Sequence, residues 1–205
     1  MAENFPSITL LGAYEAHSME DEQRVIKEIR RFREEAVRFH AGTGKPERER
    51  WVVLQFLSTL GVAAAEEEII SPQEADPVDV QFRDARFQVK EIYDPTERRQ
   101  AELKNDLRRA ETAINVGDLF GELVARDKQY VDIYPLMVEF AADPRYVTTR
   151  VGIDLLFYVT RVDATINLPT EVPAMVKTWR SVSCLFGSRA IILAVQPGAP
   201  SFLQH

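Results

Sequence analysis

Residues 77–92 read PVDVQFRDARFQVKEI, and the fold is decided here. Two short runs, Val78 to Phe82 and Arg86 to Ile92, alternate apolar and polar side chains around Arg83-Asp84-Ala85-Arg86, the pattern of two antiparallel strands joined by a turn. Matching their apolar faces pairs Phe82 with Phe87 and Val80 with Val89. On the opposite face Gln81 then meets Gln88 and Asp79 meets Lys90. Asp79 and Gln88 become diagonal neighbours at a Cα separation of roughly 7–8 Å, a gap that one cation between their side-chain oxygens can bridge.

Upstream, a third strand is expected over residues 66–70, and before it Val52, Val53, Phe56, Leu57 and Leu60 form one apolar stripe ending at Gly61. With Pro46 in the first turn, this predicts a helix over 46–60. Counting back along the stripe by threes and fours reaches Glu49, which therefore points with the core face. A still earlier helix, 19–40, follows from the cap at Ser18 and Asp21 and from Val25, Ile29, Phe32, Ala36 and Phe39; its remaining charged positions read as a solvated, ion-paired surface.

Downstream, Asp94-Pro95-Thr96-Glu97 combines an N-cap, a first-turn proline and a capping-box glutamate ahead of Leu103, Leu107, Ala110 and Ile114, predicting a helix over 95–115. Residues 118–141 carry two apolar groups broken at Pro135, read as short helices. Strands are expected over 153–160, 161–168 and 190–195, with a helix from Val172 to Trp179. The reading is a single α/β domain over 1–205 with a central mixed β-sheet flanked by helices. It comprises an N-terminal helical extension (1–45), a motif-bearing core (46–116), a helical insertion (117–150) and remaining strands and helix (151–205).

Composition narrows the function. The chain has 205 residues, a formal net charge of −7 and 45% hydrophobic residues, which is globular rather than disordered, and its acidity disfavours abundant non-specific DNA binding while allowing a local basic rim. No apolar run approaches the ~18 residues of a membrane span. The acidic Met1-Ala2-Glu3-Asn4 start is unlike a secretory signal, so a cytoplasmic location without membrane partners is expected. Cys184 is the only cysteine, and His17, His40 and His205 are scattered, so a metal would have to sit on oxygens.

With Pro77-Val78-Asp79 as a first motif and Gln88-Val89-Lys90 as a second, residues 46–116 resemble, in order, the PD-(D/E)xK or restriction-endonuclease-like nuclease superfamily. The chain is also similar to a small group of bacterial candidate endonucleases of unknown function. The resemblance implies that Asp79, Gln88, the Val89 carbonyl and Glu49 ligate Mg²⁺ or Mn²⁺ and that Lys90 orients the attacking water. It implies hydrolysis of phosphodiester bonds in DNA. The chain departs from the superfamily pattern twice: the proline stands two residues before Asp79, and Gln88 replaces Asp or Glu, so Glu49, Glu91 or Glu66 would have to compensate. Arg98, Arg99, Lys104, Arg108 and Arg109 on helix 95–115 are candidates for phosphate contact, against the alternative of a solvated face paired with Glu97, Glu102 and Asp106.

Three function classes stay open on the sequence: the metal-dependent nuclease, a catalytically inactive nuclease-like fold that binds nucleic acid or protein, and a structural protein in which Asp79 and Lys90 merely pair across strands. Oligomeric state is open, a homodimer included. The phosphate-loop echo at residues 41–46 is rejected because Pro46 follows the lysine, and no nucleophile is assigned among Ser181, Ser183 and Cys184.

Overall fold

The computed structural model describes residues 19–73, 76–92, 99–121, 130–159 and 178–204. The chain divides into two compact units: residues 1–37 with Arg99–Leu123, and Arg38–Arg98 with Val124–His205. The helix read as the end of the motif-bearing core thus groups with the N-terminal helix.

In the first unit, α1 (Met19–Phe39) carries Glu20, Asp21 and Glu22 in its first turn and Arg38 in its last, each favourably placed against the helix dipole. Ile26 is its buried residue, packing with Ala110 and Leu119, while Phe32 is exposed; the apolar contact is narrower than the predicted stripe. Arg24–Asp21 and Arg31–Glu28 are the surface pairs expected of the charged faces. Arg30 and Arg33 depart from that expectation. Arg30 donates to the Ala110 and Glu111 carbonyls near the end of α3 (Arg99–Thr112), and Arg33 donates to the Asp106 carbonyl at 2.8 Å and the Leu119 carbonyl at 2.7 Å. Arg30 thus caps last-turn carbonyls of α3 that lack intrahelical partners, whereas Arg33 ties a carbonyl inside α3 to the Leu119 carbonyl that follows it. The predicted start of α3 at Asp94-Pro95-Thr96-Glu97 lies outside the described residues.

The second unit holds a mixed sheet, six strands among the described residues, in the order β1 (Ile69–Ile70), β2 (Val80–Phe82), β3 (Ala85–Ile92), β4 (Asp154–Val159), β5 (Ser181–Phe186) and β6 (Arg189–Val195). β3, β4 and β5 run parallel and the remaining pairs antiparallel. All six residues of β4 and of β5 are buried, as expected of central parallel strands covered on both faces. On one face α2 (Lys45–Thr59) packs Val52, Val53, Phe56 and Leu57 against Val80, Phe82, Phe87 and Leu156. On the other, α4 (Tyr130–Ala142) packs Ile133 and Met137 against Leu155, Phe157 and Val182. The α/β class with a mixed sheet flanked by helices is therefore observed.

Several elements differ from the sequence expectation. The predicted strand 66–70 shrinks to Ile69–Ile70, because Glu66–Glu68 form a 3-10 turn in which the Glu68 carboxylate accepts the Ala65 N–H at 2.8 Å. Glu66 is exposed on that turn. Pro135 lies inside α4 rather than ending a helix, its missing N–H falling early in an element otherwise held by apolar packing. β5 was not anticipated, since Ser181 and Ser183 interrupt its apolar run although both are fully buried. The expected strand 161–168 lies outside the described residues, as does most of the expected helix 172–179; Trp179 itself precedes β5 in a non-helical bend. Among the described residues no helix is long and apolar enough to cross a membrane.

The hairpin register also shifts. Val80 pairs with Phe87, Gln81 with Arg86 and Phe82 with Ala85, leaving a two-residue turn at Arg83 and Asp84 in place of the four-residue turn predicted. Two features favour the tighter turn: Ala85 is completely buried and fills a core position, and Arg83 takes a φ of 54° while its guanidinium stacks over the Phe82 ring at 4.5 Å. A slip of two residues keeps every strand residue on its face, so the apolar faces alone do not distinguish the two registers.

Candidate functional site

The site begins at the turn that leads into α2. A Cβ on Gly44 would lie 2.5 Å from the Phe39 carbonyl oxygen and 2.8 Å from that of Arg38, so only glycine permits this close approach of backbone to backbone. The Phe39 carbonyl also accepts from Arg48 Nη1 at 2.7 Å, fixing the first turn of α2 from the opposite side. Gly44→Ala is expected to destabilise the protein by about 1–3 kcal/mol in chemical denaturation, because backbone rather than a flexible side chain must yield. A loss within 0.3 kcal/mol would mean that the turn repacks freely, by the same scale.

Glu49 lies one turn beyond Lys45 and is 6% exposed, confirming the core-facing placement read from the helix stripe. Asp79, the residue just before β2, reaches the same place. Its N–H donates to the Phe87 carbonyl at 2.9 Å although Phe87 is registered with Val80, so two residues oppose one, the arrangement of a β-bulge. The packing agrees: Val78 joins the core on the α4 side and Val80 the core on the α2 side, which strict alternation forbids. The bulge turns the Asp79 carboxylate toward the start of α2, where Oδ1 lies 3.1 Å from Lys45 Nζ and Oδ2 accepts the Val89 N–H at 2.9 Å. Lys45 Nζ is also 3.2 Å from Glu49 Oε1. One ammonium thus holds two carboxylates from separate elements.

The structure therefore brings together Glu49, Asp79 and the β3 backbone at Val89, but with Lys45 rather than Lys90 among them. Asp79 is not across from Lys90, as the predicted register had it. Lys90 Nζ sits 4.8 Å from the centroid of the Phe140 ring of α4, and by strand alternation Gln88 faces the same side. Gln88 Oε1 is buried and without a hydrogen-bond partner among the described residues, a costly state for an amide oxygen. The Val89 carbonyl points to the same strand edge as its N–H, the edge where Asp79 stands.

Glu91 faces the α2 side with Val89 and accepts from the Tyr158 hydroxyl at 3.0 Å; Arg48 Nε donates to that same hydroxyl at 3.1 Å. Burial, reinforced by the Glu91 carboxylate and opposed by Arg48, pushes the Tyr158 hydroxyl well above its ordinary pKa. On α3, Lys104 and Arg108 are exposed, with Arg108 Nη1 donating to Asn105 Oδ1 at 3.3 Å, while Arg109 pairs with Asp106 at 2.7 Å. Arg98 and the Arg99 side chain lie outside what the structure describes. Of the residues that the sequence reading passed over, Lys45 stands four residues before Glu49 but one residue ahead of the predicted helix 46–60; the observed helix starts at Lys45 and so makes the two i,i+4 neighbours. Tyr158 had no local signal: its contact with Glu91 follows from the β3–β4 register.

Burial raises the Glu49 pKa to about 7, and the neighbouring Asp79 charge adds to the rise, against the opposing pull of Lys45 and Arg48. Burial would lower the Lys45 pKa, but Asp79 and Glu49 outweigh it and the net shift is upward. A carboxyl with a raised folded-state pKa binds more protons folded than unfolded between its ordinary value of 4.5 and 7. Its contribution to stability is therefore present in full below that window and lost as pH rises through it. In metal-free protein, Glu49→Gln is expected to remove a falling slope worth on the order of 2 kcal/mol between these limits, read by denaturation at stepped pH. An unchanged slope would assign the titration elsewhere.

Hard divalent cations seek oxygen ligands, and this locus offers two carboxylates already gathered on a cation and a strand-edge carbonyl, while the unpartnered Gln88 amide oxygen is adjacent in sequence but lies on the Lys90 side of β3. Among the described residues no three His, Cys, Asp or Glu side chains gather.

Fold and site together define an α/β protein with a mixed sheet whose bulged hairpin faces a buried helix glutamate. Comparison with known proteins gives the family. Residues 21–205 match the model described as "Putative endonuclease, protein of unknown function (DUF1780)", and the chain belongs to this family. No curated protein matches it. A solved structure from Pseudomonas aeruginosa, a protein of unknown function described as of the monooxygenase superfamily, is similar at 23% identity and a TM-score of 0.56, covering 88% of this chain and 89% of that one. That likeness concerns the fold.

Proposed function

We propose that the protein is a cytoplasmic DNA endonuclease of the PD-(D/E)xK type that requires Mg²⁺ or Mn²⁺. The observation that carries this reading is the meeting of Asp79 and Glu49 on the Lys45 ammonium beside the Val89 edge of β3, in a chain whose family carries the description "Putative endonuclease, protein of unknown function". Asp79, Glu49 and the Val89 carbonyl would hold the metal, with the Gln88 amide oxygen as a further ligand. A divalent ion in such a site supplies a nucleophile by lowering the pKa of bound water and offsets charge on the phosphodiester.

The chain's own part is positional. The bulge and the Val89 N–H fix Asp79, the helix fixes Glu49, and Lys45 supplies a positive charge that can meet a phosphate oxygen. Exposed Lys104 and Arg108 on α3, with Arg98 and Arg99, are the proposed contacts to the nucleic-acid backbone. The test is cleavage of single-stranded, duplex and branched DNA with Mg²⁺ or Mn²⁺ against a chelator control. Product only with metal is the expected result; silence on every substrate removes the enzymatic reading.

A second reading, an inactive nuclease-like fold that binds a nucleic acid or protein, is favoured by one observation: Lys90 sits over the Phe140 ring instead of beside the carboxylates. It predicts metal-independent binding, and for nucleic acid an affinity that falls steeply with salt as phosphates release counterions.

A further inference from the structure

Lys45 is the residue on which the acidic groups converge, and its environment is lopsided. Its side chain is 56% exposed, while those of Glu49 and Asp79 are 8% and 19% exposed. The ammonium lies between oxygens contributed by α2 and by the bulge before β2, at 3.2 and 3.1 Å. A pair such as Lys45 with Glu49 is ordinary on a helix surface; the additional reach across to Asp79 is not required by helix geometry.

We propose that Lys45 is an intramolecular occupant of the divalent-cation seat, which must swing out before a metal engages Glu49 and Asp79, and which thereby sets the cation concentration at which the site fills. The inference rests on the metal reading above and adds to it a competitor. Three observations support exclusivity. The ammonium uses Oδ1 of Asp79 and Oε1 of Glu49, one oxygen of each carboxylate that would hold the metal, and a divalent ion between them would face its positive charge at close range. The lysine has an exit, since its stem is flexible and more than half exposed in the first turn of α2. The carboxylates stay behind when it leaves: Asp79 Oδ2 is anchored independently by the Val89 N–H, and Glu49 is held by burial. The seat is thus preorganised in both states, and only its occupant changes.

Isothermal titration of Mn²⁺ into the full chain tests this, using wild type, Lys45→Met, Lys45→Arg and Lys45→Met with Asp79→Ala, each checked for fold by circular dichroism. Removing the competing charge is expected to tighten Mn²⁺ binding by about tenfold or more. Lys45→Arg, which keeps a cation in place, is expected to bind as weakly as wild type, and the double variant to lose binding. Lys45→Gln retains hydrogen-bond donors without the charge and gives the same reading should the methionine variant fail to fold. Equal or weaker binding by a folded Lys45→Met or Lys45→Gln protein would overturn the competitor while leaving the metal site standing. Absence of heat from every protein would overturn both.

Discussion

Asp79→Asn is expected to abolish metal-dependent DNA cleavage while leaving a folded protein. The substitution keeps the shape of the side chain and an amide oxygen able to accept the Val89 N–H, the contact made at 2.9 Å by Oδ2. What it removes is the negative charge, and hard cations depend on charged oxygen ligands more than on neutral ones. With Gln88 already neutral, Asn at position 79 would leave Glu49 as the single carboxylate of the set. Cleavage under single-turnover conditions with Mn²⁺ is expected to fall by at least about two orders of magnitude, beyond what altering a supporting partner of a ligand typically costs. Asp79→Ala should lose as much activity and also about 1–2 kcal/mol of stability, because the Val89 N–H is left without an acceptor. The two variants separate charge from structure. Cleavage at near wild-type rate by the folded asparagine protein would remove Asp79 from the metal site and the nuclease reading with it.

The balance of what the sequence disclosed follows from which forces are local. Glu49 was found because helix periodicity is a local rule and its stripe was strong; burial at 6% is the consequence. The two faces of the hairpin were legible for the same reason, alternation being local. Register was not, because the predicted and observed pairings differ by two residues and have identical faces, so the decision fell to the buried Ala85 and the tight turn at Arg83 and Asp84. The bulge at Asp79 then made the larger difference: it moved a carboxylate from the neighbourhood of Lys90 to that of Lys45, and no periodic pattern marks one added residue. β5 was hidden by Ser181 and Ser183, whose burial depends on neighbours distant in sequence. Lys45 was visible beside Glu49 but looked like part of a loop.

Asp154→Ala is expected to destabilise the second unit strongly, and it shows how the hairpin that follows Asp79 is held. Asp154 opens β4, is completely buried, and has both carboxylate oxygens engaged: Oδ1 accepts from Arg180 Nε at 3.0 Å and from the Ser181 hydroxyl at 2.8 Å, while Oδ2 accepts from Arg180 Nη2 and from the Arg86 N–H at 2.9 Å. Arg180 in turn donates to the Asp84 carbonyl at 2.9 Å, so one carboxylate and its guanidinium tie the β2–β3 turn to the starts of β4 and β5. Truncation leaves a mostly buried guanidinium, a buried hydroxyl and a backbone N–H without their acceptor. Breaking a buried pair in this one-sided way costs about 3–5 kcal/mol, whereas replacing both partners by apolar residues is far less harmful. Asp154→Leu combined with Arg180→Met should therefore recover part of the loss, with Arg86 N–H and the Ser181 hydroxyl accounting for what remains. Urea denaturation with an unchanged m-value reads both effects. A loss below about 1 kcal/mol for Asp154→Ala would show that water or a shifted Arg180 restores these bonds, and the hairpin would then owe its position to the apolar contacts of Phe82 and Phe87 instead.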